Sequence, residues 1–201
     1  HVGMPKTGSS AFQALLEANR LTLLDRGILV PISGRSRARG VRRDRSAGHD
    51  LATAALMRGD LGPLIAIAGE ARMATAPRMV LLSAEGLLGP VLWRGPAGLI
   101  ALRRALPFAH VRVIGLHRDA ATWVERMFRE MAANPRNGFT DPPARLLRRL
   151  ARAGLTDVEG LRAALGAAFD EVAFEPYWDK AAPERLLAMA GIDGEGLVAP
   201  H

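Results

Sequence analysis

The sequence predicts an α/β domain built on a central, mostly parallel sheet flanked by helices. Short apolar runs that suit buried strands occur at 28–30, 79–83 and 111–116. Segments with helical periodicity separate these runs, and this order is typical of parallel strands joined by crossover helices. At 201 residues the chain suits one domain. We therefore expect a single domain spanning 1–201.

Each predicted helix has its own signal. Phe12, Leu15 and Leu16 recur at helical spacing after residue 11, and Gly27 ends that segment. Asp119 can cap the helix that follows the run at 111–116. Further helices are predicted at 49–58, 61–74, 98–106, 141–152, 156–169 and 182–190, with Thr156 as a cap and a late strand at 171–174.

The first ten residues, HVGMPKTGSS, lead directly into the first helix. Two glycines allow the backbone to approach a ligand, and the N–H groups that open a helix favour an anion. Lys6 adds a positive charge, and the hydroxyls of Thr7, Ser9 and Ser10 add donors. The pattern predicts a site for phosphate or sulfate. Because Lys6 precedes Gly8, the strict motif of the nucleoside triphosphatases is not met.

Other candidate residues follow predicted strands. Glu85 comes after the run at 79–83, and Arg118 comes after the run at 111–116. In open α/β sheets ligands gather beyond the carboxyl ends of the strands, so both side chains are well placed for chemistry. His49 opens a helix, and its imidazole, like the carboxylate of Glu85, is a candidate proton acceptor.

Composition limits the classes of partner. Lys and Arg exceed Asp and Glu by 27 − 20 = 7, which favours an anionic partner. The chain has no cysteine, which excludes disulfides and suits a reducing cytoplasm. His117 has no partner at ligand spacing, so we expect no metal. No apolar run reaches the roughly 18 residues that span a bilayer.

Six arginines stand close together in the segment 34–45, GRSRARGVRRDR. This segment lacks an apolar period and is predicted to be a loop. It is either a solvated insert or a binding surface for an anionic acceptor or phosphate. The absence of interleaved aromatic residues argues against an RNA-binding arm.

The opening residues resemble the 5′-phosphosulfate loop of sulfotransferases that use 3′-phosphoadenosine 5′-phosphosulfate (PAPS), approximately Gly-x-Pro-Lys-x-Gly-Thr-Thr. Pro5, Lys6 and Gly8 match this pattern, and Ser9 and Ser10 replace the paired threonines. The resemblance implies a three-layer P-loop-like fold. An apolar strand should then precede the loop, and only two residues of it stand there, so we expect that strand to be truncated.

A second segment resembles many bacterial members of the same family. In these a strand leads into an Arg, with Trp five positions later, Ser eight positions later and then an aromatic residue. Arg118, Trp123 and Phe128 fall in register, whereas Arg126 occupies the serine position. The resemblance implies that Arg118 binds the 3′-phosphate. Arg126 either binds that phosphate bidentately or blocks the pocket.

The resemblance implies transfer of a sulfuryl group from PAPS to a hydroxyl of a carbohydrate or small molecule, leaving 3′-phosphoadenosine 5′-phosphate. Lys6 would neutralise the transferring group, and the residues from Pro5 to Ser10 would hold the 5′-phosphate. Glu85, in the family's Ser-x-Glu position, or His49 would be the base. The alternatives are a small-molecule kinase of P-loop-like architecture and a non-catalytic binder of anions or nucleic acid. The acceptor and the oligomeric state are left open.

Overall fold

The computed structural model describes residues 1–2, 7–35, 48–74, 77–84, 96–133, 142–152, 156–178 and 181–199. Within these ranges the chain forms helices and short strands in alternation. In chain order they are α1 (Ser9–Ala18), α2 (Arg20–Asp25), β1 (Ile28–Leu29), α3 (Asp50–Met57), α4 (Gly62–Met73), β2 (Met79–Val80), α5 (Pro96–Ala105), β3 (Arg112–His117), α6 (Ala120–Ala133), α7 (Pro143–Arg152), α8 (Val158–Gly166), β4 (Glu171–Pro176) and α9 (Ala182–Met189).

The strands form two parallel pairs. β1 pairs with β2, with Ile28 opposite Met79. β3 pairs with β4 over six residues, from Arg112 opposite Glu171 onward. Parallel strands need crossover connections, which the helices between them provide.

His1 and Val2 lie between the two pairs of strands. The amino group of His1 donates to the carbonyl of Leu82, and the N–H of Ala84 donates to the carbonyl of His1 at 3.2 Å. His1 thus bonds through its nitrogen to Leu82 and through its carbonyl to Ala84, two residues further on, which is the pattern of parallel strands. On the other side, the N–H of Val2 donates to the carbonyl of Ile114 at 2.9 Å. The spatial order is therefore β1, β2, residues 1–2, β3 and β4.

Two apolar clusters occupy opposite faces of β3. Val113 packs with residues of α3, α4, α5, α6 and α8, whereas Ile114 and Leu116 pack with residues of α1, α2 and α9. Successive side chains of a strand point to opposite faces, so this division places helices on both sides. The predicted α/β class, with parallel strands flanked by helices, is confirmed. The three-layer P-loop-like arrangement stays a prediction.

Two details differ from the sequence-based prediction. The first helix is divided at Asn19, whose side-chain amide donates to the carbonyls of Leu15 and Val198, each at 2.8 Å. An Asn side chain competes with the helix for backbone groups, and here it also anchors the C-terminal segment. The cap of α8 is Asp157 and not Thr156, because the carboxylate of Asp157 accepts the N–H of Glu159 at 3.1 Å.

A cavity of about 790 Å³ lies between the amino-terminal ends of β2 and β3. One edge of it is formed by residues 79–82 and the other by residues 110–113. Helices close it on both faces of the sheet, with Leu64 from α4 and Ala190 from the end of α9 among its lining. The cavity lies in line with residues 1–2, between the same two edges that pair with them.

The backbone register defines what would fit this cavity. His1 pairs with Ser83, and Val2 lies beside Gly115, whose Cβ, if present, would lie 2.6 Å from the carbonyl oxygen of Val2. In this register, four residues added ahead of His1 would pair with residues 79–82 on one side and with residues 110–113 on the other.

Extending the chain by Val-Ile-Val-Ile ahead of His1 should stabilise the protein. The added residues would pair with both edges of the cavity and replace the buried amino group of His1 by an amide. Even about 1 kcal/mol of added stability raises the Tm of a chain of this size by roughly 2–4 °C. Differential scanning calorimetry of this variant and of a Ser-Gly-Ser-Gly extension measures the effect. Equal Tm values for the two extensions would show that the cavity does not accept a paired strand.

Candidate functional site

Four chain segments meet at the carboxyl ends of the strands. A Cβ added to Gly8, at the start of α1, would lie 2.6 Å from the Cβ of Ala182, at the start of α9, and 3.3 Å from the ring of Tyr177, directly after β4. The guanidinium carbon of Arg118, directly after β3, lies 3.7 Å from the centre of the Tyr177 ring. The structure therefore brings Gly8 and Arg118, two of the sequence-predicted residues, into one region.

The start of α1 has the properties of an anion site. Gly8 precedes the helix with a φ of 82°, a left-handed conformation that favours glycine. The N–H groups of Ser9 and Ser10 have no intrahelical acceptor, and the first turn carries no acidic side chain. The hydroxyl of Ser9 is buried, with 2% of the residue exposed, and within the described ranges it has no hydrogen-bond partner. Thr7 is also buried, whereas Ser10 is exposed.

His49 is fixed between the ends of two strands. The backbone N–H of Ser83, after β2, donates to its Nδ1 at 3.2 Å, so Nε2 carries the proton and donates to the carbonyl of Pro31, after β1, at 3.2 Å. Burial lowers the pKa of the imidazole to about 4, which keeps the ring neutral near pH 7. His49 thus ties β1 to β2, and both of its ring nitrogens contact backbone groups.

A buried polar cluster lies beneath this region. The hydroxyl of Ser83 is 2.9 Å from Nδ1 of His1, and the side-chain amide of Gln13 donates to the same hydroxyl at 3.3 Å. The cluster links α1, residues 1–2 and the end of β2 through hydrogen bonds between side chains. It fixes the position of α1 relative to the sheet.

The remaining sequence-predicted residues differ in their exposure, and some lie outside the described ranges. Arg118 is half-buried, and Arg126 is exposed on α6. Asp119 caps α6 as predicted, since its carboxylate accepts the N–H of Thr122 at 2.9 Å. Pro5, Lys6 and Glu85 lie outside the described residues, as does the arginine segment beyond Arg35.

Comparisons of the chain with protein-family models, with curated proteins and with solved structures found no match. Within the described residues, the helices are all too short or too polar to cross a membrane. The same part of the chain holds no group of three or more His, Asp and Glu side chains that could share a metal ion.

Sequence reasoning did not single out Tyr177 or Gln13 as site residues. Gln13 has one signal in the sequence, since it is a polar residue beside Phe12 on the apolar side of a predicted helix. Tyr177 directly follows the predicted late strand, and only the strand pairing brings it to Arg118, which lies far away in the chain.

The stability of the protein should fall as the pH drops from about 6.5 toward about 4. In this range unfolded His49 takes up a proton, whereas folded His49, with its pKa lowered to about 4, does not. The unfolded state then binds more protons, so the free energy of unfolding decreases, by up to roughly 3 kcal/mol over the whole range.

Urea unfolding of the wild type and of His49→Gln at several pH values between 4 and 7 measures this contribution. Glutamine does not titrate, so the variant should show a shallower slope of unfolding free energy against pH. The titrating carboxylates are common to both proteins. Identical slopes would show that His49 is protonated as readily in the folded chain as in the unfolded chain.

Proposed function

We propose that this protein is a sulfotransferase that moves a sulfuryl group from PAPS to a hydroxyl of a carbohydrate or small molecule. The observation that carries the proposal is the convergence of the start of α1 with Arg118 at the carboxyl ends of the strands. In the proposal these are two anion-binding groups, and the ring of Tyr177 lies close to both. A nucleotide that carries an anionic group at each end of its ribose matches them.

The order of the strands supports a three-layer P-loop-like architecture. Residues 1–2, the first extended segment in the chain, lie in the middle of the spatial order and lead toward α1. A central strand followed by a loop and a helix is the arrangement in which P-loops bind phosphate groups. The apolar clusters on the two faces of β3 agree with helices in two outer layers.

The start of α1 would bind the phosphosulfate end of the donor. Its N–H groups supply donors, as does the hydroxyl of Ser9, which has no partner among the described residues, and no acidic side chain in the first turn competes with an anion. In the proposal Pro5 and Thr7 shape the loop, and Gly8, Ser9 and Ser10 hold the 5′-phosphate. Lys6 neutralises the sulfuryl oxygens and the departing phosphate.

Arg118 would bind the 3′-phosphate. Its side chain is half-buried, and water screens its charge less than that of an exposed arginine. Arg126, at the serine position of the family pattern, is exposed on α6, and in the proposal it contacts the phosphate from the surface. This placement favours Arg126 as an auxiliary contact to phosphate over Arg126 as a block in the pocket.

The transfer requires a base. The acceptor oxygen forms a bond to sulfur, the bond from sulfur to the bridging oxygen breaks, and the hydroxyl proton goes to the base. His49 is poorly suited, because both of its ring nitrogens contact the backbone and its pKa is lowered to about 4. We therefore assign the role to Glu85, which follows Ala84 at the carboxyl end of the segment paired with His1.

The proposal predicts tight binding of the product nucleotide, 3′-phosphoadenosine 5′-phosphate. Arg118→Ala and Lys6→Ala should each weaken that binding about tenfold or more, because each removes a charge-assisted contact worth about 1.5–3 kcal/mol. Isothermal titration calorimetry measures the affinities. Arg104→Ala is a matched control, since Arg104 is exposed at the end of α5, which leads to the amino-terminal end of β3.

The same titration distinguishes the alternative functions. Binding of ATP with Mg²⁺ in place of the bisphosphate would identify a kinase. Binding of short RNA alone, with a steep dependence on salt, would identify a nucleic-acid binder. Either result, obtained with the folded wild type, would overturn the sulfotransferase proposal.

Glu85→Gln should lower turnover by about 10²–10⁴-fold, the usual contribution of a general base, and leave nucleotide affinity nearly unchanged. Release of 3′-phosphoadenosine 5′-phosphate from PAPS, with an acceptor found in a panel of saccharides, measures turnover. His49→Gln is the comparison, and it should keep most of the activity if it is folded. A larger loss in His49→Gln than in Glu85→Gln would reassign the base.

A further inference from the structure

The ring of Tyr177 is fixed between the two anion-binding groups of the candidate site. The N–H of Tyr177 donates to the carbonyl of His117 at 2.8 Å, which continues the pairing of β3 with β4. One side of the ring faces the guanidinium of Arg118, at 3.7 Å. The ring atom Cε2 lies 3.3 Å from the position that a Cβ of Gly8 would take. The ring thus contacts the guanidinium of Arg118 and lies close to Gly8.

Stacking on Tyr177 is compatible with phosphate binding by Arg118. The ring contacts the face of the guanidinium, whereas a phosphate is bound by the N–H groups along its edge. A long arginine side chain has many rotamers in water, and contact with a fixed ring reduces their number. The ring therefore restricts the positions that the guanidinium of Arg118 can take.

We infer that Tyr177 is a positioning residue that holds Arg118 at a set distance from the start of α1 and makes the site selective for a nucleotide with two separate phosphate groups. This inference rests on the proposed function and adds the basis of its ligand selectivity. A ligand with one phosphate can use either group alone. A ligand with phosphates at both ends of the ribose needs the two groups at the correct separation.

The test compares two nucleotides and two substitutions. Isothermal titration calorimetry with adenosine 3′,5′-bisphosphate and adenosine 5′-monophosphate is done on the wild type, Tyr177→Phe and Tyr177→Leu. The wild type should prefer the bisphosphate. Phenylalanine keeps the aromatic face, so Tyr177→Phe should keep the preference. Tyr177→Leu should lose about 2- to 30-fold in affinity for the bisphosphate, the range of a cation–π contact, and keep its affinity for the monophosphate.

A double-mutant cycle separates positioning from a general structural role. In an Arg118→Ala background, Tyr177→Leu should have no further effect on bisphosphate affinity, because the ring acts through Arg118. Equal losses for both nucleotides, or an undiminished loss in the Arg118→Ala background, would overturn the inference while the proposed function stands. A folded wild type that binds neither nucleotide would overturn the proposed function and this inference together.

Discussion

The pairing of His1 and Val2 between Leu82, Ala84 and Ile114 is the constraint on which the rest of the arrangement depends. It joins the β1–β2 pair to the β3–β4 pair and gives all of these segments one edge at which their carboxyl ends meet. Because α1 follows soon after in the chain, its positive end lies at that same edge. The candidate site is therefore a consequence of backbone pairing before any side chain contributes.

Hydrogen bonds join the side chains beneath the site. Ser83, Gln13 and the ring of His1 are joined by hydrogen bonds, and neutral His49 bridges two strand ends. In the proposed site, the attraction for an anion comes from the start of α1, from Lys6 and from Arg118.

Local patterns made part of this structure predictable, and pairing between distant segments accounts for the rest. The strand before Arg118 and the cap by Asp119 depend on neighbouring residues, and the sequence predicted both. The contact of Arg118 with Tyr177 depends on the pairing of β3 with β4, which no local pattern specifies. The sequence likewise showed His49 as a titratable residue at a helix start, and only the fold reveals that backbone groups contact both of its nitrogens.

Gly8 links the stability of the fold to the selectivity of the site. Its left-handed conformation, with a φ of 82°, lets the chain turn into α1 and presents the first N–H groups of that helix. The absence of a Cβ also lets Ala182 and the Tyr177 ring approach, since a Cβ would lie 2.6 and 3.3 Å from them. A larger residue would shift the start of α1, the start of α9 and the ring that holds Arg118 at the same time. The conformation of Gly8 at the start of the proposed anion site thus also affects the position of Arg118, the second proposed anion-binding group.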